Sequence, residues 1–342
     1  MVYKSKHYKN KNKTKNKNKN KNKNKTKKNR KIKVFIVNKI MTDNAIEDKE
    51  GEYFDESHYK KIIKYDCDCY RIDDDGNKHL LLKFRKKVIP DKLCKIGIDN
   101  LEEASKKTHD NRGASAGVID LKKMPSYAND PKQFVGKSKF RVTAYISKHT
   151  GKLVTNSLGN ISKSNIIGYF DKRDRNLGAN APPCRTTAFT SQQVDKWNKV
   201  LPLIKCINNM YKKLTPKEYK IQYDICNKTP WAIKNTAFST VTINHNWRTA
   251  LHKDAGDLDE GFGNLVVLEK GKYKGGYTGF PQYGVAVDVR NGDFLAMDVH
   301  EWHCNTKIHQ IDKDFTRLSM VSYLRKHMIK CKNMDIPKPI NK

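Results

Sequence analysis

A chain of 342 residues has room for one large domain or two ordinary ones. Its 69 Lys and Arg outnumber 36 Asp and Glu, giving a formal net charge of +33. No signal-peptide core and no apolar run of membrane-spanning length is present, so a secreted or membrane-spanning chain is not expected. The eight cysteines form no CxxC pair, and Cys67-Asp68-Cys69 has the spacing of neither a zinc knuckle nor a redox motif. Reduced thiols and an intracellular protein are expected.

The charge is unevenly spread. Residues 1–33 hold sixteen Lys or Arg and no acid, leaving 53 basic against 36 acidic residues in the remainder. A Lys-Asn alternation of this kind cannot bury apolar surface, so a disordered tail is expected. Such a field favours nucleic acid or another polyanion through counterion release. Over-use of Lys and Asn by an A+T-rich genome would leave the same trace in the tail.

Order begins at Val34-Phe35-Ile36-Val37, which reads as a buried strand. Asp43 to Glu56 reads as a loop leading into a short helix. Tyr70-Arg71-Ile72 and His79 to Phe84 flank an Asp73-to-Asn77 turn and form a hairpin. The Asp triplet in that turn lacks EF-hand spacing. Asn111 to Gly117 is small and Gly-rich but has neither GxGxxG nor a P-loop Lys-Ser/Thr. Lys137 to Ile146 and Lys152 to Asn156 read as strands about a His149-Thr150-Gly151 turn, and Ile166 to Phe170 as the opening of the catalytic module. Apolar Val194, Trp197, Val200, Leu201, Ile204, Ile207 and Tyr211 predict an amphipathic helix over Gln192 to Lys212, interrupted at Pro202. A second helix is expected over Pro216 to Cys226.

From Ala237 the pattern changes to short β runs: Phe238–Ile243, Asn264–Leu268, Gly284–Val289, Phe294–Val299 and Phe315–Leu324. Gly275-Gly276 and Asn291-Gly292 separate them, and strands at this spacing argue for a sandwich or barrel. Asp335-Ile336-Pro337-Lys338-Pro339 reads as a frayed end.

The chemistry is concentrated between Leu251 and Arg317. In His252-Lys253-Asp254 the imidazole and carboxylate stand at i and i+2, on one side of a strand, and can converge on one metal. A lone HxD is common by chance. The weight lies in the ordered set of His252, Asp254, Gly275-Gly276, Gly292-Asp293, His303 and Arg317. Two imidazoles and one carboxylate on one face of Fe(II) leave the opposite face open for a cosubstrate and O₂. A guanidinium such as Arg317, fourteen residues beyond His303, grips a carboxylate by two parallel hydrogen bonds, as the distal end of 2-oxoglutarate requires. Ser319 shares its face and adds a hydroxyl. Asn244 and Asn246 are candidates for the keto-acid end, against turn roles. Asp257 stands at the mouth of the expected site, as a substrate contact or an ordinary solvated acid.

These residues resemble the TET/JBP branch of the 2-oxoglutarate- and iron-dependent dioxygenases, which oxidise the methyl group of 5-methylcytosine or thymine in nucleic acid. The similar segments are Ala237–Asn244, Arg248–Asp257, Gly292-Asp293-Phe294-Leu295, His303–Thr306 and Arg317–Arg325, with Gly168-Tyr169 and Arg185–Thr190 upstream. The resemblance covers roughly residues 165–327. It implies an α+β fold with a double-stranded β-helix (jelly-roll or cupin-like) core and flanking helices. It also implies Fe(II), 2-oxoglutarate and O₂ as cofactors, held by His252, Asp254 and His303 as metal ligands and Arg317 as cosubstrate anchor. His300 and His303 are both in range of the second-histidine position. In oxygenases of this kind the ligand follows a strand opened by Gly-Asp and precedes a small turn residue. His303, before Cys304-Asn305, is preferred on that ground, with His300 packing beside the site or touching substrate. The cysteine-rich zinc region of animal TET enzymes and a recognisable reader of the glucosylated base are both lacking.

The expected organisation is a tail over 1–33, an α+β region over 34–160 packing on the core, the dioxygenase domain over 161–330 and a C-terminal tail over 331–342. The expected partner is nucleic acid, DNA above all, in the nucleus or another DNA-containing compartment, with no membrane and no protein partner indicated. Two rivals share these features. A prolyl or lysyl hydroxylase has the same iron set and would oxygenate peptides. A non-catalytic nucleic-acid-binding protein on this fold would bind DNA without forming succinate.

Overall fold

A computed structural model describes residues 31–123, 134–147, 149–155, 158–171 and 184–336. The tail expected over 1–33, apart from its last three residues, lies outside them, as do Asn156 and Pro337 to Pro339. The N-terminal region supplies β1 (Lys33–Val37), α1 (Asp43–Glu47), β2 (Lys61–Ile63), β3 (Cys67–Ile72), β4 (Lys78–Arg85) and α2 (Asp91–Ser105). Short strands β5 (Thr108–His109), β6 (Phe134–Lys137), β7 (Arg141–Ile146), β8 (Leu153–Val154) and β9 (Leu158–Gly159) follow. Next come β10 (Ser162–Asp171), β11 (Cys184–Thr186), α3 (Ala188–Gln192), α4 (Val194–Leu214) and α5 (Pro216–Cys226). The remainder is largely β: β12 (Thr240–His245), β13 (Gly263–Lys270), β14 (Tyr273–Gly275), β15 (Thr278–Phe280) and β16 (Val285–Val287). It ends with β17 (Phe294–Met297), β18 (Cys304–Asn305), β19 (Ile308–Gln310) and β20 (Thr316–Tyr323).

Among the described residues, one large sheet runs in the order β1-β3-β4-β17-β13-β20-β12-β10-β11, with β5 beside β10. A smaller sheet runs β18-β15-β16-β2. Strands β3 and β4 therefore do more than pack on the C-terminal part. Phe294 to Met297 of β17 pair with Arg85 to Leu82 of β4, so the two regions share one hydrogen-bonded ladder.

Alternation decides which side chain faces which layer. Val241 and Ile243 of β12, Val266 and Leu268 of β13, Phe294 and Ala296 of β17, and Leu318 and Met320 of β20 pack under α2 and α4. Their neighbours Leu265, Val267, Leu295 and Met297 face the other way, against Phe280, Val285 and Val287 of the smaller sheet. Both faces of the central strands are thus covered, which is why β20 reads as an almost continuous buried run. Mixed sheets facing each other with a few helices outside are consistent with a jelly-roll core.

Four expectations from the sequence are corrected. The helix does not break at Pro202 but runs through it from Val194 to Leu214. A proline inside a helix costs about 3 kcal/mol, whereas each fully buried large apolar side chain contributes roughly 1.5–3 kcal/mol. Val200, Leu203, Ile204 and Ile207 are all buried, so packing wins. The strand at Val34 is not buried: Val34 is 61% and Ile36 52% exposed. Among the described residues it is the end strand of the large sheet, parallel to β3. The run Lys137 to Ile146 is two strands, β6 and β7, divided where Ser138 N–H donates to the Arg141 carbonyl at 2.7 Å. Finally, the thiols are not all reduced: Cys184 and Cys331, 147 residues apart, form a disulfide inside a buried cluster with Trp231 and Met328. Spacing alone cannot reveal such a pairing. The other six cysteines are free.

Gly275 and Gly276 carry the chain from β14 toward β15 with φ of +69° each. A Cβ on Gly275 would overlap the Lys307 backbone carbonyl, whereas one on Gly76 (φ +82°) would meet nothing within 4 Å. Gly76→Ala is expected to lose only the left-handed strain, about 1 kcal/mol. Gly275→Ala is expected to lose about 3 kcal/mol or more, because backbone must also shift. Equal losses in denaturant unfolding would show that the Lys307 carbonyl does not confine this turn.

Candidate metal centre

His252 and His303 stand side by side because their backbones form a two-way bridge. Each N–H donates to the other's carbonyl at 3.0 Å. This is an isolated pairing, so His252-Lys253-Asp254 does not lie on the regular strand that its spacing suggested. Further bonds hold the segment: Ala250 N–H to Ser115 O at 2.9 Å, Leu251 N–H to Glu52 O at 2.8 Å and Asp254 N–H to Val299 O at 3.0 Å. The last bond turns the Asp254 carboxylate toward both imidazoles.

His252, Asp254 and His303 each offer one donor atom, all within 4.8 Å of one another. His252 Nδ1 lies 2.8 Å from the Ala250 carbonyl, and His303 Nδ1 lies 2.9 Å from that of Glu301. In a neutral ring these contacts place the proton on Nδ1 and leave a lone pair on Nε2. The Nε2 atoms lie 3.6 and 3.8 Å from the two Asp254 oxygens, too far for hydrogen bonds. Burial, with the His303 ring beside it, pushes the His252 pKa down to about 4, so the ring is neutral near pH 7. His252, Asp254 and His303 are the one cluster of His, Cys, Asp and Glu among the described residues that could hold a metal ion.

The three side chains line a cavity of about 250 Å³. Its floor is the inner face of the large sheet. Ser164 Oγ donates to Asn244 Oδ1 at 2.6 Å, and Asn244 Nδ2 donates to Ser319 Oγ at 3.3 Å, a polar row across β10, β12 and β20. Ser319, Val321 and Tyr323 line the cavity, and Arg317 is the next residue on the same face of β20. Arg317 is completely buried. Its Nη2 donates to the Gly276 carbonyl at 3.0 Å, while Nε and Nη1 have no hydrogen-bond partner. Gly276 makes room for it: a Cβ there would sit 3.2 Å from Arg317 Nε. A buried cation with two idle donors is a costly arrangement unless an anion arrives to meet it.

The other expected residues are placed as follows. Asn246 has φ +46° and spends its amide on structure. Its Oδ1 accepts from Arg317 N–H at 2.6 Å and its Nδ2 donates to Phe315 O at 3.0 Å, so the keto-acid role expected for it gives way to a turn role. The His300 N–H donates to Asp298 Oδ1 at 3.0 Å and its Nε2 lies 3.0 Å from Leu258 O. Asp257 lines the cavity and is 7% exposed, not a solvated loop acid. Burial, then the Asp254 charge, holds its carboxyl well above the usual carboxylate range, against the pull of Arg325.

Arg112 and Arg325 also reach the cavity wall, and residue-by-residue reading gave neither a role. Arg325 pairs with Asp171 and continues the row of alternate residues from Arg317, a periodicity that could have flagged it. Arg112 comes from the Gly-rich loop at 111–117, where burial depresses its pKa and its Nε is without a partner. Nothing local marks it.

Comparison with known proteins agrees with this geometry in its location. Residues 165–326 match the TET/JBP family, described as the oxygenase domain of the 2OGFeDO superfamily. Thymine dioxygenase JBP1 of Trypanosoma brucei brucei is 34% identical over 216 residues, 63% of this chain and 24% of that protein. Thymine dioxygenase JBP1-A of Trypanosoma cruzi is 37% identical over 164 residues, 47% of this chain and 19% of that protein. The chain thus spans about a quarter of the length of the curated relatives it matches. A solved structure titled NgTET1 in complex with 5mC DNA aligns over 91% of this chain and 87% of its own, with 12% identity and a TM-score of 0.47. Residues 165–326 of this chain, which contain the whole His-Asp-His cluster and Arg317, are thus similar to the TET/JBP oxygenase domain of the 2OGFeDO superfamily.

Proposed function

We propose that this protein is an Fe(II)- and 2-oxoglutarate-dependent dioxygenase that oxidises the methyl group of a pyrimidine base, thymine or 5-methylcytosine, in DNA. One observation carries the reading. Three metal-type donors converge in a cavity whose sheet floor leads to a buried arginine with two unused N–H groups. That is the fit that an iron ion and a dicarboxylate cosubstrate require. The relatives named thymine dioxygenase support the pyrimidine methyl as target.

In this reading His252, Asp254 and His303 hold the iron, and Arg317 holds the distal carboxylate of 2-oxoglutarate through its free Nε and Nη1. Ser319 and Asn244 flank the cosubstrate's path along the sheet floor. When bound, iron(II) with 2-oxoglutarate and O₂ supplies the oxidation of a substrate C–H bond, with succinate and CO₂ as coproducts. The protein's part is geometric. The two Nδ1–H bonds fix ring orientation and tautomer. A duplex base would have to leave its stack to enter. In this reading Asp257, which lines the cavity and is held toward its protonated form, would donate a hydrogen bond to it. The excess of basic residues outside the tail would hold phosphates without reading sequence. A DNA-containing compartment follows from that substrate. Among the described residues no helix is long and apolar enough to cross a membrane.

Two outcomes are expected. Nucleoside mass spectrometry should find an oxidised pyrimidine in DNA from cells expressing the wild type and none with His252→Ala. Its absence from both, with oxygenated peptides instead, would move the target to protein. Arg317→Met should raise the KM for 2-oxoglutarate on the order of 100-fold, the effect of removing one partner of a buried charge pair. An unchanged KM would place the cosubstrate elsewhere.

A further inference from the structure

The N-terminal strands reach the segment that carries His303 at two points, the Asp298 N–H bond to Leu81 O of β4 at 2.9 Å and the Glu301 carboxylate. Glu301 lies two residues before His303, and its carbonyl accepts the His303 Nδ1–H at 2.9 Å. Its side chain is 15% exposed and caught between two groups from other parts of the chain. Tyr283 Oη, from the turn after β15, donates to Glu301 Oε2 at 2.6 Å. Arg71 Nε, from β3, lies 2.8 Å from Oε1 as an ion pair without ideal hydrogen-bond alignment. The His252 Nδ1 rests instead on the carbonyl of Ala250, whose own N–H donates to Ser115 O at 2.9 Å.

Resting on the metal-binding reading above, we infer that Arg71 and Tyr283 are positioning residues for His303, acting through Glu301. The carboxylate is pinned at both oxygens, and this fixes the turn from Asp298 to Trp302 and aims the Glu301 carbonyl. That carbonyl selects the Nδ1–H tautomer and holds Nε2 toward Asp254. Remove Arg71 and a mostly buried carboxylate loses its counter-charge. The turn relaxes, and His303 loses the acceptor that orders its ring. The region ahead of the oxygenase domain thereby takes part in ligand geometry: β3 supplies the cation that sets one of the three donors.

The test compares Arg71→Met, Arg71→Lys, Glu301→Gln and Tyr283→Phe with wild type in the full chain. Divalent-metal affinity is measured anaerobically by Co(II) titration, following both heat and the visible spectrum. Outer-sphere partners of metal-bound histidines typically contribute 10–100-fold in affinity, and a loss in that range is expected for Arg71→Met and Glu301→Gln. Arg71→Lys, which keeps the counter-charge, should lie between Arg71→Met and wild type. Independently of any metal, ¹⁵N spectra of the histidine rings in the apo protein should show His303 moving from one Nδ1–H tautomer to a tautomer mixture in Arg71→Met, with His252 unmoved. Circular dichroism confirms folding, and Tyr283→Phe, the mildest change, provides a second probe if Arg71→Met is unfolded. His303 ring signals that stay at wild-type values in folded variants overturn the inference. Absence of Co(II) binding by wild type would instead sink the metal-centre reading, leaving the ring spectra to decide this one.

Discussion

Two reciprocal backbone hydrogen bonds, between His252 and His303, are the constraint on which the site rests. They join segments that share no secondary structure, one leaving β12 and one preceding β18. Side-chain donors on flexible loops would have to be ordered anew for each ion, at a cost in conformational entropy. Here the backbone has already met that cost, and the imidazoles need only the tautomer that the Ala250 and Glu301 carbonyls select. Asp254 enters the same frame through its N–H on Val299.

The large sheet divides its labour by parity. Along β20, Leu318 and Met320 go to the helices, while Arg317, Ser319, Val321 and Tyr323 go to the cavity side. Stability and chemistry therefore draw on alternate positions of one strand. Apolar burial beneath α2 and α4 lets the other face carry a guanidinium, hydroxyls and an asparagine that would weaken a conventional core. It also explains why Pro202 is tolerated: α4 is held by what it covers rather than by its own hydrogen bonds.

What could be read from the chain follows the range of the interactions. That His252, Asp254 and His303 would meet was legible because few residue types suit a divalent ion, and the face Arg317 shares with Ser319 followed from β alternation. Strands β12, β13, β16, β17 and β20 were legible from period and turn residues to within a few positions, whereas the short β14, β15, β18 and β19 were not. Helix α2 was not assigned, although Cys94, Ile98, Leu101 and Ser105 recur at helical spacing, because Gly97 and many polar residues dilute the stripe. Hydrophobicity correctly marked Val34 to Val37 as a strand but could not say that it ends the sheet among the described residues. Asn246 had the right residue type for a ligand and turned out to serve the backbone. Arg71, Arg112 and the Cys184–Cys331 pair depend on which distant segments meet, and no local pattern encodes that.

The disulfide has a topological consequence. Cys184 opens β11 in register with Asp171, the partner of Arg325, and Cys331 ends the turn that follows Arg325. Strands β12 through β20 therefore lie inside one covalent ring. A crosslink closing a loop of this size removes unfolded-chain entropy worth on the order of 5 kcal/mol. The oxidised polypeptide can lose its tertiary structure without its two ring-closing ends ever drifting apart, whereas the dithiol form has no such tether. Cellular thiol chemistry would thus adjust how readily the whole catalytic half comes undone, while leaving its folded geometry alone.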